Sequence, residues 1–202
     1  MIRHQLANRA ITDESIQQQI TFRPVQIETD FGLLHRWQHE QHVIPYWNLD
    51  ISLEAYQKHL TEFLQDPHQS LHIGMIDGIP MSYWETYWVQ GDILEGSYDS
   101  HPADQGVHLL IGETDYLGKG YALPLLRAIT SLLFEHPETE KVVAEPNILN
   151  KKMIHIFEKC GYRFQKKIDL PDKEAALLFC YREEFEKRWQ DVQAIHQHKH
   201  NI

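Results

Sequence analysis

The sequence predicts an α+β or mixed α/β fold with a partly antiparallel sheet. Three observations predict it. Two apolar runs, Leu71 to Ile76 and Ile79 to Val89, flank Asp77-Gly78, a strong hairpin signal. The short apolar strand from Val107 to Ile111 leads through a glycine loop into an amphipathic helix. A closing strand, helix and two further strands run from Lys141 to Tyr181. Strands in front, followed by strand–helix alternation, call for hairpins and a crossover in one sheet.

Taken in order, residues 1–20 are polar and read as an N-terminal extension with some helix. Thr21 to Gln26 is the first strand. Phe31, Leu34 and Trp37 recur at three-residue steps, predicting a helix from Thr29 to Gln41. Val43-Ile44-Pro45-Tyr46-Trp47 reads as an aromatic loop. The Ser52 hydroxyl suits the N-cap of a helix from Leu53 to Gln65. After the hairpin, Ser97 to Ser100 reads as an extended piece. Ala122, Leu125, Leu126, Ile129, Leu132 and Leu133 form one apolar helix face. Lys141 to Ala144 is a buried strand. Asn150 opens a helix through Cys160, and Gly161 stops it. Tyr162 to Ile168 and Ala175 to Tyr181 are strands, and a polar helix starts at Glu183. The chain thus divides into the extension, a domain over residues 21–182, and a C-terminal helix with a polar tail over residues 183–202.

The 202 residues suit one domain with a buried core. A composition of 42% hydrophobic and 24% charged residues is that of an ordinary soluble protein. No apolar run reaches the roughly 20 residues of a membrane span. The N-terminus lacks the basic start and apolar core of a signal peptide. The expectation is a cytoplasmic protein without a membrane partner. A net charge of −10 argues against nonspecific nucleic-acid binding and suits a cationic small substrate. Cys160 and Cys180 lie in apolar patterns and read as buried thiols. His196, His198 and His200, three of 14 histidines, alternate with polar residues and read as a solvated tail, so no metal is expected.

The glycine loop is Leu117-Gly118-Lys119-Gly120-Tyr121-Ala122. Small residues at 118, 120 and 122 let the backbone turn sharply and approach a ligand. Free amides at the following helix start favour an anion such as a pyrophosphate. The spacing is neither that of a P-loop nor that of the dinucleotide fingerprint.

With these residues in view, the chain resembles the GNAT acyltransferases over roughly residues 21 to 182. Their acyl-CoA loop has the form Arg/Gln-Gly-x-Gly-x-Gly/Ala, matched here at Gly118, Gly120 and Ala122 and departed from at Leu117. Asn150 and Phe157-Glu158-Lys159-Cys160-Gly161-Tyr162 are similar to the family's Asn…Tyr-Glu-Lys-x-Gly-Phe segment. His101-Pro102-Ala103-Asp104-Gln105-Gly106-Val107-His108-Leu109-Leu110-Ile111-Gly112, with Glu145-Pro146-Asn147-Ile148-Leu149-Asn150, resembles the acyltransferases of hydroxamate siderophore biosynthesis. The resemblance implies a central mixed, mostly antiparallel sheet with a splayed strand pair and flanking helices. It implies a short acyl-CoA, such as acetyl-CoA, as cosubstrate, and an N-hydroxylated lysine, putrescine or cadaverine as acceptor. It implies acyl-CoA contacts at Leu110 and Ile111, at Gly118, Lys119, Gly120, Tyr121 and Ala122, and at Asn150, which equally suits a helix N-cap.

Acyl transfer needs a neutral nitrogen nucleophile. An alkylamine near pKa 10.4 is mostly protonated at neutral pH, whereas a hydroxylamine is far less basic and mostly neutral. The enzyme then mainly orients the acceptor and takes a proton. His108 is the candidate base, since an imidazole titrates near 6.5 and strand alternation turns it away from Val107, Leu109 and Ile111. A hydrogen-bonded core histidine is the other reading. Asn147 stands where relatives of this branch often carry Asp, and can orient a ring or a substrate hydroxyl without supplying charge. Phe157 replaces the tyrosine that many family members use as an acid, so that proton comes from elsewhere. Asp99, His101 and Asp104 offer a polar substrate wall, and Trp47, Trp84 and Trp88 an aromatic lining, although loop and core roles remain open for both sets. Two other functions stay open: acetylation of an aminoglycoside or polyamine, and noncatalytic acyl-CoA binding. Monomer and homodimer are both compatible with the sequence.

Overall fold

The computed structural model of the protein describes residues 10–199, with side chains described to residue 190. Eight strands form one sheet in the order β1-β2-β3-β4-β5-β6-β8-β7. The strands are β1 (Ile11–Asp13), β2 (Gln18–Pro24), β3 (Gln69–Ile76), β4 (Ile79–Trp88), β5 (Gln105–Ile111), β6 (Lys141–Ala144), β7 (Arg163–Asp169) and β8 (Glu174–Tyr181). The helices are α1 (Ile27–Gln38), α2 (Ile44–Trp47), α3 (Leu53–Gln65), α4 (Ala122–Leu133), α5 (Lys151–Cys160) and α6 (Arg182–Lys199).

Period-2 alternation sends the two faces of this sheet to separate cores. On one face Phe22, Trp84, Val107 and Leu109 meet Leu125, Ile129 and Leu132 of α4 and Phe157 of α5. On the other, Ile73, Tyr83 and Leu110 meet Leu34 and Trp37 of α1 and Tyr56 and Leu60 of α3. Cys160 and Cys180 are both free and buried, and burial pushes the Cys160 thiol up to about 12.

Strand pairing is antiparallel everywhere except between β5 and β6. That parallel pair is in register only at Gln105 with Val142 and Gly106 with Val143. Beyond Gly106 the two strands part, which is the splay that the resemblance implies.

Several local expectations need correction. The expected helical extension contains β1 and the start of β2, so the sheet begins at Ile11, not Thr21. Gln17, at φ 55, closes the turn between them, and its amide donates to the Asp13 carbonyl. Only Ile20 and Phe22 of β2 are fully buried, so the polar residues of this sheet edge hide the strand pattern. The first helix begins at Ile27 because Asp30 accepts the Gln26 amide and the Arg23 guanidinium. The aromatic loop contains the single helical turn α2, and residues 97–100 are a bend followed by irregular backbone rather than a strand. The C-terminal helix is docked: Phe185 is buried in the core and Trp189 donates to the Cys160 carbonyl. His200 and the side chains of His196 and His198 lie outside the described residues.

Candidate active site

The parting of β5 and β6 opens a cavity of about 260 Å³. Its walls come from the α2 segment (Tyr46, Trp47, Leu49), α3 (His59, Phe63), β4 (Glu85), β5 (Val107, His108, Leu109), the turn after β6 (Glu145, Pro146, Asn147, Asn150), α5 (Met153, Phe157) and the β7–β8 turn (Asp172, Lys173).

His108 sits between two carboxylates. Its Nδ1 lies 2.8 Å from Glu85 Oε2, and its Nε2 bonds Glu145 Oε1. Register places Glu85 directly opposite His108 on the neighbouring strand. Glu145 leaves the end of β6 where β5 and β6 diverge, so it reaches the ring from the other side. Both carboxylates are almost fully buried, while about a third of the His108 side chain, 32%, stays open to the cavity. Burial pushes the imidazole pKa down, but the charge and hydrogen bond of Glu145, followed by those of Glu85, outweigh burial and raise it to about 10. Burial likewise pushes the Glu145 carboxyl up. The His108 charge and hydrogen bond, then Lys173 and the Tyr87 hydroxyl, hold it down at about 2. The two carboxylates thus favour the charged imidazolium over the neutral ring. Each ring nitrogen faces a carboxylate oxygen.

A second layer fixes this clamp. The Tyr87 hydroxyl donates to Glu145 Oε2 at 2.7 Å, and the Tyr83 hydroxyl donates to Glu85 Oε1 at 3.0 Å. Lys173 Nζ lies 3.7 Å from Glu145. Gly106 stands opposite Tyr87 on β5, and a Cβ there would overlap the Tyr87 ring. The bare backbone lets that ring cross β5 to reach Glu145.

The other sequence candidates divide between the cavity and the framework. Asn147 lines the cavity, but its Oδ1 accepts the Leu149 amide and Glu145 occupies the position beside His108. Asn150 caps α5 through the Met153 amide and also lines the cavity. Trp47 lines the cavity with its ring edge-on to His108, centroids 6.4 Å apart. Trp84 does not: it is buried in the core and donates to Ser82 Oγ, because alternation turns it to the α4 face. Trp88 packs against His136. Asp99, His101 and Asp104 do not form a wall of this cavity either. Asp104 is buried and receives the Tyr98 hydroxyl, the His101 amide and Lys141, which makes it the anchor of its own loop. Asp99 and His101 are exposed. Phe157 is buried against Tyr162 and offers no proton.

Leu110 faces α1 and α3, and the Ile111 carbonyl accepts from His42 Nε2 at 2.7 Å. Gly118 and Gly120 have φ of 70 and 87, with open space where a Cβ would stand. Lys119 is exposed, and Tyr121 donates to Gln18 while packing against Tyr116. No side chain caps α4, which starts at Ala122. An uncapped helix start behind an open glycine turn fits a pyrophosphate. The unpaired edge of β5 fits the extended arm that would join it to the cavity. Among the described residues no group of three His, Cys, Asp or Glu is placed to hold a metal.

Glu85, Glu145, Tyr87, Lys173 and His59 were not foreseen. A lone Glu inside the aromatic run Tyr83-Trp84-Glu85-Thr86-Tyr87-Trp88 is the signal that marks Glu85.

Residues 26–170 match the family model described as an acetyltransferase (GNAT) domain. The N-hydroxyputrescine acetyltransferase of Acinetobacter baumannii is 35% identical over 173 residues, 84% of this chain and 81% of that protein. The crystal structure of an uncharacterised Bacillus halodurans protein superimposes with a TM-score of 0.90 at 50% identity, covering 93% of this chain and 96% of that one. An aminoglycoside acetyltransferase in complex with coenzyme A superimposes with a TM-score of 0.76 at 29% identity, covering 83% of this chain and 98% of that one. The chain belongs to the GNAT acetyltransferase family, and acetyl-CoA or another short acyl-CoA is its cosubstrate.

Proposed function

We propose that the protein acetylates the hydroxylated nitrogen of a small diamine or lysine, giving a hydroxamate of the kind used in siderophores. The observation that carries this reading is the His108 clamp. With both ring nitrogens of His108 engaged, the clamp holds no vacant base, and the half-buried His59 in the same cavity, lowered below 6.5, is too weak a base to strip an alkylammonium of pKa about 10.4. A hydroxylamine arrives already neutral, so it suits such a site. A cavity of about 260 Å³ suits a slender four- or five-carbon chain better than the linked rings of an aminoglycoside. Asp172 lines the cavity and is exposed, so the distal ammonium of a diamine finds a carboxylate there. The similarity to an N-hydroxyputrescine acetyltransferase supports the same reading.

Acetyl-CoA supplies the thioester carbonyl. The protein holds its acceptor against Glu85, His108 and Glu145, keeps Trp47 and Phe157 around it, and excludes bulk water from the reacting nitrogen. Likeness to an aminoglycoside acetyltransferase favours a second reading. One assay separates them: coenzyme A release measured across N-hydroxyputrescine, N-hydroxycadaverine, N-hydroxylysine, their parent amines and a set of aminoglycosides. The hydroxylated amines should turn over fastest by a wide margin. Equal rates for amine and hydroxylamine, or preference for an aminoglycoside, would overturn the assignment.

A further inference from the structure

We propose that His59 is the proton acceptor of the transfer. This rests on the reading of the protein as an N-acetyltransferase for a small amine and deepens it. The acceptor nitrogen must lose a proton as the amide forms, and most polar groups of the cavity are already committed. His108 gives one ring nitrogen to each of two carboxylates. Glu145 also receives Tyr87 and faces Lys173, while Glu85 also receives Tyr83. Asn147 and Asn150 spend their side-chain oxygens on backbone amides.

His59 lies in the same wall, on α3, half-buried. Its ring packs against Phe63 at 4.4 Å between centroids and against Tyr56 at 6.1 Å. These apolar faces fix the plane of the ring, and no described protein group bonds either nitrogen. The charged and titratable groups around it are Glu62 on its own helix, Glu85 from β4, His108 from β5, and Tyr46, Glu145, Asp172 and Lys173 from the remaining walls. Burial lowers the His59 pKa below 6.5, with Glu85 and Glu62 partly opposing the shift. The ring is therefore neutral at pH 7 and open to a proton. The remaining candidate, Asp172, is a carboxylate, a weaker proton acceptor than an imidazole.

The step balances without another reactant. The lone pair of the acceptor nitrogen forms the C–N bond, the C–S bond breaks, and its electron pair leaves on sulfur. The N–H proton passes to the free ring nitrogen of His59. The thiolate takes that proton from the imidazolium, directly or relayed through a water molecule, which returns the ring to its neutral form.

The test compares wild type, His59→Gln and His59→Ala, using coenzyme A release with acetyl-CoA and N-hydroxyputrescine at varied pH. In the wild type, kcat should fall on the acid side, below 6.5. His59→Gln should lose about 10²–10⁴ in kcat and flatten that acid limb. Added imidazole should restore part of the rate to His59→Ala. Coenzyme A affinity by calorimetry should stay unchanged in both, which shows that they fold. Near-normal kcat with the acid limb intact, or a raised acceptor KM alone, would overturn the proposal. If the wild type instead acetylates a different amine, the acceptor assignment falls, and the same comparison on that amine still decides the role of His59.

Discussion

Gly106 matters at the scale of single residues because the Tyr87 ring fills the space where its side chain would stand. Tyr87 can then donate to Glu145, which in turn grips His108. Gly106→Ala should push the ring aside and cost about 1–3 kcal/mol, the usual range for overpacking a filled site. Thermal unfolding checks this, and a variant melting with the wild type would show that the ring has room to spare. His108 could be read from the sequence because an imidazole on a strand face is a conspicuous group. Its ionisation state could not, since that depends on Glu85 across the β4–β5 register and Glu145 across the β5–β6 splay. Asn147 stands out by its place in a motif, whereas the backbone carries Glu145, two residues earlier, to the ring.

Among the elements, those with strong local signals were legible and those that depend on the sheet were not. Asp77 and Gly78 both take positive φ, 49 and 79, as the turn chemistry of that pair requires. Ser52 and Asn150 cap their helices as their hydroxyl and amide predict. β1 carries no comparable signal: three residues at a sheet edge are stabilised by pairing with β2, not by their own pattern. The glycine turn before α4 belongs to the legible group, and its geometry supports a prediction. Gly120, at φ 87, is exposed with nothing near its missing Cβ, so Gly120→Val meets no clash and only backbone strain. Left-handed geometry costs a side-chain-bearing residue about 1–2 kcal/mol. That strain should distort the loop and weaken coenzyme A binding by roughly tenfold, each 1.4 kcal/mol being a factor of ten. The melting temperature should fall by only a few degrees, each kcal/mol shifting a chain of this size by roughly 2–4 °C. Calorimetry with coenzyme A decides it, and unchanged affinity would remove this loop from the cradle.

For the molecule as a whole, the clamp joins β4, β5 and the end of β6 across the one place where the sheet opens, so its charge state should govern stability against pH. In the folded protein His108 is raised to about 10 from its ordinary 6.5. Its contribution is complete below 6.5 and fades as pH rises through about 10. Glu145 is held at about 2 against its ordinary 4.5, so its contribution is complete above 4.5 and fades as pH falls through about 2. The two describe one coupled interaction and are not to be summed. Stability from this pair should therefore peak between 4.5 and 6.5 and decline steadily on the alkaline side. Glu145→Gln removes one buried charge and leaves His108 with Glu85 alone. Removing one partner from a buried pair costs about 3–5 kcal/mol, and the surviving carboxylate puts this case at the lower end. The alkaline decline should also shrink and end at lower pH, because less negative charge holds the proton on His108. Melting temperatures for both proteins between about pH 4 and about pH 10 supply the comparison. Parallel curves for wild type and Glu145→Gln would mean that the His108 proton is held by something other than this carboxylate.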